Sequence, residues 1–453
     1  MKNGLIFFIV GIIIFSSCVG CFGENNDLGG CENCENIDEV VKFGANSTFY
    51  VNIPSNIGNI SVKVQLPNEP RYEGGAPIVI EVGTFFTSNV PYYNTIPEII
   101  NYGFVYLTFI WPGTEDRFSN ESSEGVYDYG GINCLEGLAS IIKYGNGISK
   151  DNEGYYLFEK IEMKINQSNV GMYAFSHPGI VMTNVLAKFG NEIGDIDWVV
   201  GRENPTTDTI SSMEIGYWKT NTEDIQNPIY SYPESYSSTE LDLNYSLIRW
   251  NSTWDLDGGD PGRPYWDLNE NEILDENDHV LSYKVPTFNG KRTYSMKLTS
   301  ALLESGTANP WPNDVSTVEE VNSIWPERIT VESYPEIGEK IPNLKVMLLF
   351  GEKDHVQVTK DRPHIHQAWD GFFHGASLWV RLNPDSAYSD FFGVLNSSEL
   401  PANFAPNNWS KAENWGHSSE YNIKKFPIIA LTEMADRCNF NNWNDNLDEY
   451  LLN

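Results

Sequence analysis

The run APIVIEVGTF, residues 76–85, limits most tightly what this chain can fold into. From Ala76 to Val82 a single acid, Glu81, stands among apolar and β-branched side chains, so the run has no polar face to leave in water. Comparable apolar runs recur at residues 104–111, 169–175, 196–200, 345–350 and 376–382. Between them lie segments with apolar residues at helical spacing: a short one ending at Gly103, GGINCLEGLASIIKYG, Ile180 to Phe189, Gln367 to Phe373, and Pro427 to Cys438. Continuous apolar strands alternating with helices imply a sheet covered on both faces, which predicts an α/β protein with a doubly wound, mostly parallel sheet. TFYVNIP and ISVKVQLP, joined by SNIGN, read as a hairpin at the start of that sheet.

The alternation stops after Arg202. Residues 203–341 are dominated by Tyr, Ser, Asn, Asp and Trp, with helical patterns only near Thr299 to Leu303 and Val318 to Ile324, and read as a cap inserted between two parts of the core, 46–202 and 342–453. A chain of 453 residues with 41% hydrophobic and 13% aromatic residues has material for a large core. No internal repeat is found.

Residues 1–21 open with Lys2 and run apolar from Leu5 to Phe15, the pattern of an export signal, too short to span a bilayer comfortably. The end of that run, Val19-Gly20-Cys21, resembles the lipobox of exported lipoproteins, whose cysteine is lipidated; Cys18 is a second candidate. Residues 22–45, with Cys31 and Cys34, read as an acidic tether closed by a local disulfide. Asn-x-Ser/Thr sequons such as those at Asn46, Asn120 and Asn251 suit a cell-surface protein. The net charge of −33 argues against nucleic acid as a partner, because a polyanion is repelled by such a surface. The oligomeric state is not readable.

At Ala174-Phe175-Ser176-His177-Pro178-Gly179 the apolar pattern switches from strand to helix. A serine at such a switch serves equally as a nucleophile or as a helix N-cap. The chain order discriminates. The apolar run Val346 to Phe350 leads into Gly351-Glu352-Lys353-Asp354-His355-Val356, and Asn414-Trp415-Gly416-His417-Ser418 follows the last strand. Together these segments resemble the α/β-hydrolase family, in which a nucleophile elbow, an acid after a late strand and a histidine near the C-terminus follow one another. The resemblance implies Ser176 as nucleophile, Asp354 as acid and His417 as base, with oxyanion donors at the backbone of His177 and Thr84. Catalysis then needs no cofactor, and the substrate is an ester or a peptide amide. Pro178 departs from the family pattern, which places glycine there, and Val82-Gly83 stands where the family has His-Gly.

Three other features need a reading. His355 is expected to point away from the nucleophile, and His364 and His366 cannot share one helix face. Cys134 and Cys438 are expected as free, buried thiols. In the cap, Asp267, Asn269, Asn271, Ile273 through its carbonyl, Asp275 and Asp278 match an EF-hand-like calcium loop, with Glu272 at the position usually held by glycine. The Tyr- and Trp-rich cap suits a sugar-bearing ester or a peptide equally. A non-catalytic surface-binding protein on the same scaffold is the alternative function.

Overall fold

The computed structural model describes residues 40–84, 92, 95–206, 211–219, 223–236, 241–254, 261–281, 285–350, 354–359, 361–383 and 425–443. Eight strands form the main sheet: β1 (Thr48–Ser55), β2 (Gly58–Gln65), β3 (Ala76–Val82), β4 (Val105–Phe109), β5 (Ile165–Phe175), β6 (Trp198–Arg202), β7 (Lys345–Leu349) and β8 (Trp379–Leu382). They lie in the order β1-β2-β4-β3-β5-β6-β7-β8. The hairpin β1-β2 is antiparallel and joins β4 antiparallel; every other pairing is parallel.

The apolar runs are the strands because both faces of the sheet are covered. Successive residues of one strand enter different cores, as the two-residue period requires. Ile78, Ile80, Val170, Met172, Val346 and Leu348 pack with helices α1 (Ile132–Gly145) and α2 (Pro178–Phe189), whereas Val79, Tyr173, Met347 and Leu349 pack on the opposite side. That second side is covered by a 3₁₀ turn, Pro97–Tyr102, which ends at Gly103 with φ 84, and by the C-terminal helix. Helix α3 (Tyr334–Lys340), α4 (Pro363–Asp370) and the C-terminal α5 (Lys425–Phe440) complete the helical layers.

Helix α3 was not anticipated. It falls in the stretch read as cap, yet Tyr334, Ile337 and Ile341 belong to the main core and α3 packs on α2. Its signal was masked by Pro335 and Gly338, which interrupt the apolar period.

Helix α5 is anchored by polar groups as well as by burial. The Arg71 guanidinium binds the Asp436 carboxylate at 2.7 and 2.8 Å, and Asn169 bridges Trp198 Nε1 and the Ala435 carbonyl, both at 2.8 Å. Asn169 lies at the midpoint of β5, so α5 is tied to the strand that carries Ser176.

The cap has a core of its own, although its sequence is dominated by Tyr, Ser, Asn, Asp and Trp. Ile215, Leu243, Ile248, Trp266, Tyr294, Leu298, Val321 and Trp325 form one buried cluster, supplied by helices Met296–Ser305 and Val318–Ile324 and by short strands. Aromatic side chains bury much area per residue, so few are needed. The cap is joined to the core by Arg328, which donates to the carbonyls of Asp128 and Tyr129, and by Trp218 Nε1, which donates to the Asp354 carbonyl at 2.8 Å. Cys134 and Cys438 are free, as expected; Cys134 is buried and Cys438 only half-buried. Among the described residues no helix is long and apolar enough to cross a membrane. The leader, residues 22–39 of the tether with Cys31 and Cys34, and His417 lie outside the described residues; the end of the segment read as tether belongs to the fold, where Phe43 pairs with Ile161 and stacks on Phe49 at 4.0 Å.

Candidate active site

Ser176 is the first residue beyond β5 and has φ 66, a left-handed backbone that a residue with a Cβ adopts only under constraint. Its N–H donates to the Arg202 carbonyl at 2.8 Å, which continues the sheet ladder by one bond. Helix α2 starts immediately afterwards: His177 is its N-cap, with Pro178 in the first turn, where a missing N–H costs nothing. The Ser176 Oγ does not cap that helix. It meets His177 Nδ1 at 3.0 Å instead, so the alternative role offered by the sequence does not apply.

Asn204 holds the turn in shape. Its Nδ2 donates to the carbonyls of Ser176, Arg202 and Ala174 at 2.6, 3.1 and 3.2 Å. Gly179 makes room for it: a Cβ there would stand 2.1 Å from Asn204 Cγ. The close approach associated with glycine at position 178 is therefore met by Gly179, one residue later, and Pro178 does not disturb the packing. Asn204 had no sequence signal of its own, being two residues beyond a strand end in a segment assigned to the cap.

The register of β3 on β5 pairs Val82 with Ala174, so Gly83 and Thr84 continue beside Phe175 and Ser176. Trp111 Nε1 donates to the Thr84 carbonyl at 2.7 Å and fixes the orientation of that peptide. Thr84 stands two residues beyond the end of β3, and the His177 backbone directly follows the serine.

Asp354 follows β7 and is 1% exposed. Its Oδ1 accepts from Val356 N–H at 2.8 Å and Gln357 N–H at 3.3 Å. Its Oδ2 lies 2.9 Å from Nε2 of His364, which is fully buried at the start of α4. The N–H does not point at that oxygen, so the contact is one of charge and proximity rather than an aligned hydrogen bond. Gln357 Oε1 holds the other ring nitrogen at 2.6 Å and the His364 N–H at 3.0 Å. Among the described residues, Asp354 is therefore partnered by His364. His366 faces elsewhere and lies against the Tyr232 ring at 5.4 Å.

A second pair stands against Phe175, the residue before the serine. Glu203, the first residue after β6, has φ 48, is 1% exposed, and binds His355 Nδ1 through Oε2. The His355 ring lies 4.7 Å from that of Phe175, the residue before the nucleophile, so His355 is turned toward the nucleophile strand. This corrects the expectation that it points away. Arg202 sits over the other contact of the same aromatic ring, 4.7 Å from its centroid, and 3.8 Å from Glu203 Oε1. An acid directly after a buried strand beside the elbow strand was the available signal; assigning the cap to begin there concealed it.

In the cap loop, Asp267 is buried and its two carboxylate oxygens accept the N–H groups of Asn271 and Glu272 at 3.1 and 2.9 Å. Asn269 and Asn271 both donate to Asp275 Oδ2, and Asp278 accepts from Leu268 and Asp275 N–H. Glu272 has φ 60, the backbone that glycine supplies at that position of a calcium loop. The exposed side chain of Ile273 leaves its carbonyl as the only group it could offer a metal.

A strained serine between a parallel strand and a helix, at the carboxyl end of a sheet wrapped on both faces, decides the architecture. The fold is of the α/β-hydrolase type. No protein-family model matches the chain, and no curated protein matches it in sequence. Solved structures similar to this α/β chain include a prolyl endopeptidase (15% identity over 37% of this chain and 22% of its own, TM-score 0.26). An esterase from Pyrococcus furiosus is 12% identical over 76% of this chain and 87% of its own, with a TM-score of 0.33. A variant of the esterase rPPE is 10% identical over 74% and 72%, with a TM-score of 0.37. The chain spans less than a quarter of the length of the prolyl endopeptidase.

Proposed function

We propose that this chain is a serine hydrolase that cleaves a carboxylic ester or a peptide amide through an acyl-enzyme on Ser176. The observation that carries the reading is the left-handed Ser176, held there by Asn204, with an Oγ that caps nothing. Strain of this kind costs about 1–3 kcal/mol and persists where the surrounding structure enforces it, characteristically at functional sites. A serine hydroxyl needs a base to become a nucleophile and fixed donors to stabilise the oxyanion. For the second task the resemblance supports the backbone N–H groups of Thr84 and His177. For the first, the chain order points to His417 with Asp354. The non-catalytic alternative rests on Pro178 and on Val82-Gly83 standing where the family has His-Gly; the room that Gly179 makes for Asn204 weighs against the first of these.

The leader supports export with a lipid anchor at Cys21, and the charge of −33 suits a cell surface. The loop 267–278 supports a structural calcium held by Asp267, Asn269, Asn271, Asp275, Asp278 and the Ile273 carbonyl, though Arg249, 3.8 Å from Asp267, weakens the site electrostatically. Calcium added to chelator-treated protein is expected to raise the melting temperature, and Asp267→Asn to remove that rise.

The test of the catalytic reading is labelling of the folded full chain with a fluorophosphonate. Label on the wild type that disappears in Ser176→Ala supports it; a folded wild type that takes no label overturns it.

A further inference from the structure

The relay implied by chain order leaves the Glu203–His355 pair without a task. Glu203 and Ser176 are each the first residue beyond neighbouring parallel strands, and the register pairs Phe175 with Arg202, so both leave the sheet at the same level. Adjacent strands lie about 4.8 Å apart. Both residues have left-handed backbones, and Glu203 is fixed further by its N–H bond to the Leu349 carbonyl at 2.8 Å. The pair is thus built onto the end of the sheet, beside the serine. Asp354, by contrast, has each oxygen engaged, one by two backbone N–H groups and one by His364.

We propose that Glu203 and His355, in place of the Asp354 and His417 that chain order implies, form the proton relay of Ser176, an inference that rests on the reading of Ser176 as nucleophile. A carboxylate on Nδ1 holds the proton there and leaves Nε2 as the acceptor in the neutral ring, the tautomer that general-base catalysis requires. The His355 side chain is 33% exposed, whereas His364 is fully enclosed. Facing His355 are Glu203, Asp354, whose nearest carboxylate oxygen lies within 4.8 Å of both partners, and Arg202 beyond Glu203. In the resting protein Ser176 Oγ rests on His177 Nδ1, and rotation about its Cα–Cβ bond turns it from that ring. Catalytic hydrogen bonds often form only when substrate is present.

The step balances as follows. Oγ bonds to the carbonyl carbon, the carbonyl π pair moves to its oxygen, and the Oγ proton passes to His355 Nε2. Collapse of the tetrahedral species breaks the bond to the alcohol or amine, which takes the proton from Nε2. Water then repeats the sequence on the acyl-enzyme, its proton going to Nε2 and then to Oγ as Ser176 leaves. Glu203 keeps its charge throughout and acts as a positioning residue.

The experiment measures fluorophosphonate labelling rates and ester hydrolysis against pH for the full chain, with folding checked by circular dichroism. His355→Ala, at a partly open position, is expected to fold and to label at least about 100-fold more slowly. Glu203→Gln is expected to slow labelling, because the amide no longer fixes the ring in the reactive tautomer. Glu203→Asp is expected to restore part of the rate. A wild-type rate in His355→Ala, or a rate in Glu203→Asp no higher than in Glu203→Gln, overturns the relay. Label in the wild type but not in Ser176→Ala leaves the nucleophile standing in that event, whereas an unlabelled, folded wild type overturns both.

Discussion

Two carboxylate–imidazole pairs lie within a few residues of each other and differ in almost every respect that matters to chemistry. Asp354 and His364 are both fully enclosed, with the acid pinned by two backbone N–H groups and the ring by Gln357. Glu203 is equally buried, but its partner His355 is one-third exposed and lies on the aromatic ring next to Ser176. A proton donor or acceptor must reach its substrate, so the closed pair suits support of the loop and the open pair suits exchange with the site. Trp218 reinforces the division, since it fastens the Asp354 carbonyl to the cap.

The comparison breaks most visibly in stability. His364→Ala strands a buried carboxylate without its imidazole and is expected to cost about 3–5 kcal/mol in chemical denaturation. His355→Ala leaves the buried Glu203 with Arg202 3.8 Å away and is expected to cost less, about 1–3 kcal/mol. Equal losses for the two would show that both pairs are structural.

A smaller effect separates the elbow from the pairs around it. In Gly179→Ala the new methyl group meets Asn204, and overpacking of this kind costs about 1–3 kcal/mol. Adding Asn204→Ala relieves the clash, so the double variant is expected to regain stability while labelling of Ser176 stays low, because the strut that holds the turn is gone. Recovery of both together would mean that Asn204 plays no part in shaping the nucleophile.

Carboxylates that lack an imidazole altogether sharpen the contrast. Glu81, on β3, has neutral partners: the N–H and hydroxyl of Thr95, the Ile96 N–H and the Tyr106 hydroxyl. Burial therefore prevails and pushes Glu81 up to about 7, as it does Glu214 in the cap. With the folded value above the unfolded one of 4.5, the native state binds more protons between these two pH values, so stability falls as pH rises from about 4.5 to about 7. Glu81→Gln is expected to flatten that slope in denaturation measured across the window. An unchanged slope would place the dependence elsewhere.

The sheet was legible because burial on both faces forces continuous apolar runs, and Ile78, Val79 and Ile80 show it directly by entering alternate cores. Ser176 was legible because a change of period marks a strand-to-helix turn. The partners of Asp354 and Glu203 were not, because a side chain's direction within a loop depends on tertiary contacts such as Glu203 N–H to Leu349, which have no local pattern. The cap core escaped notice for a different reason: Trp266, Tyr294 and Trp325 are spread over short strands and turns, so their burial leaves no period. For loop 267–278, spacing revealed the oxygen pattern, and the φ of Glu272 shows that a residue other than glycine is made to take the turn.

The smallest expected effect isolates the strain that distinguishes the elbow from both pairs. At φ 66 a residue with a Cβ pays about 1–2 kcal/mol that glycine does not, while glycine loses roughly 0.5–1 kcal/mol through its freer unfolded chain. Ser176→Gly is therefore expected to be more stable than Ser176→Ala by about 0.5–1 kcal/mol, both variants lacking the hydroxyl and its contact with His177. The same pair of substitutions at Ser140, inside α1, should have the opposite sign, because glycine in a helix interior is the poorer residue. Matched denaturation curves of the four variants measure the difference. If Ser176→Gly proves no more stable than Ser176→Ala, the left-handed turn is not held against a backbone preference, and the serine loses the feature that marks it as a nucleophile.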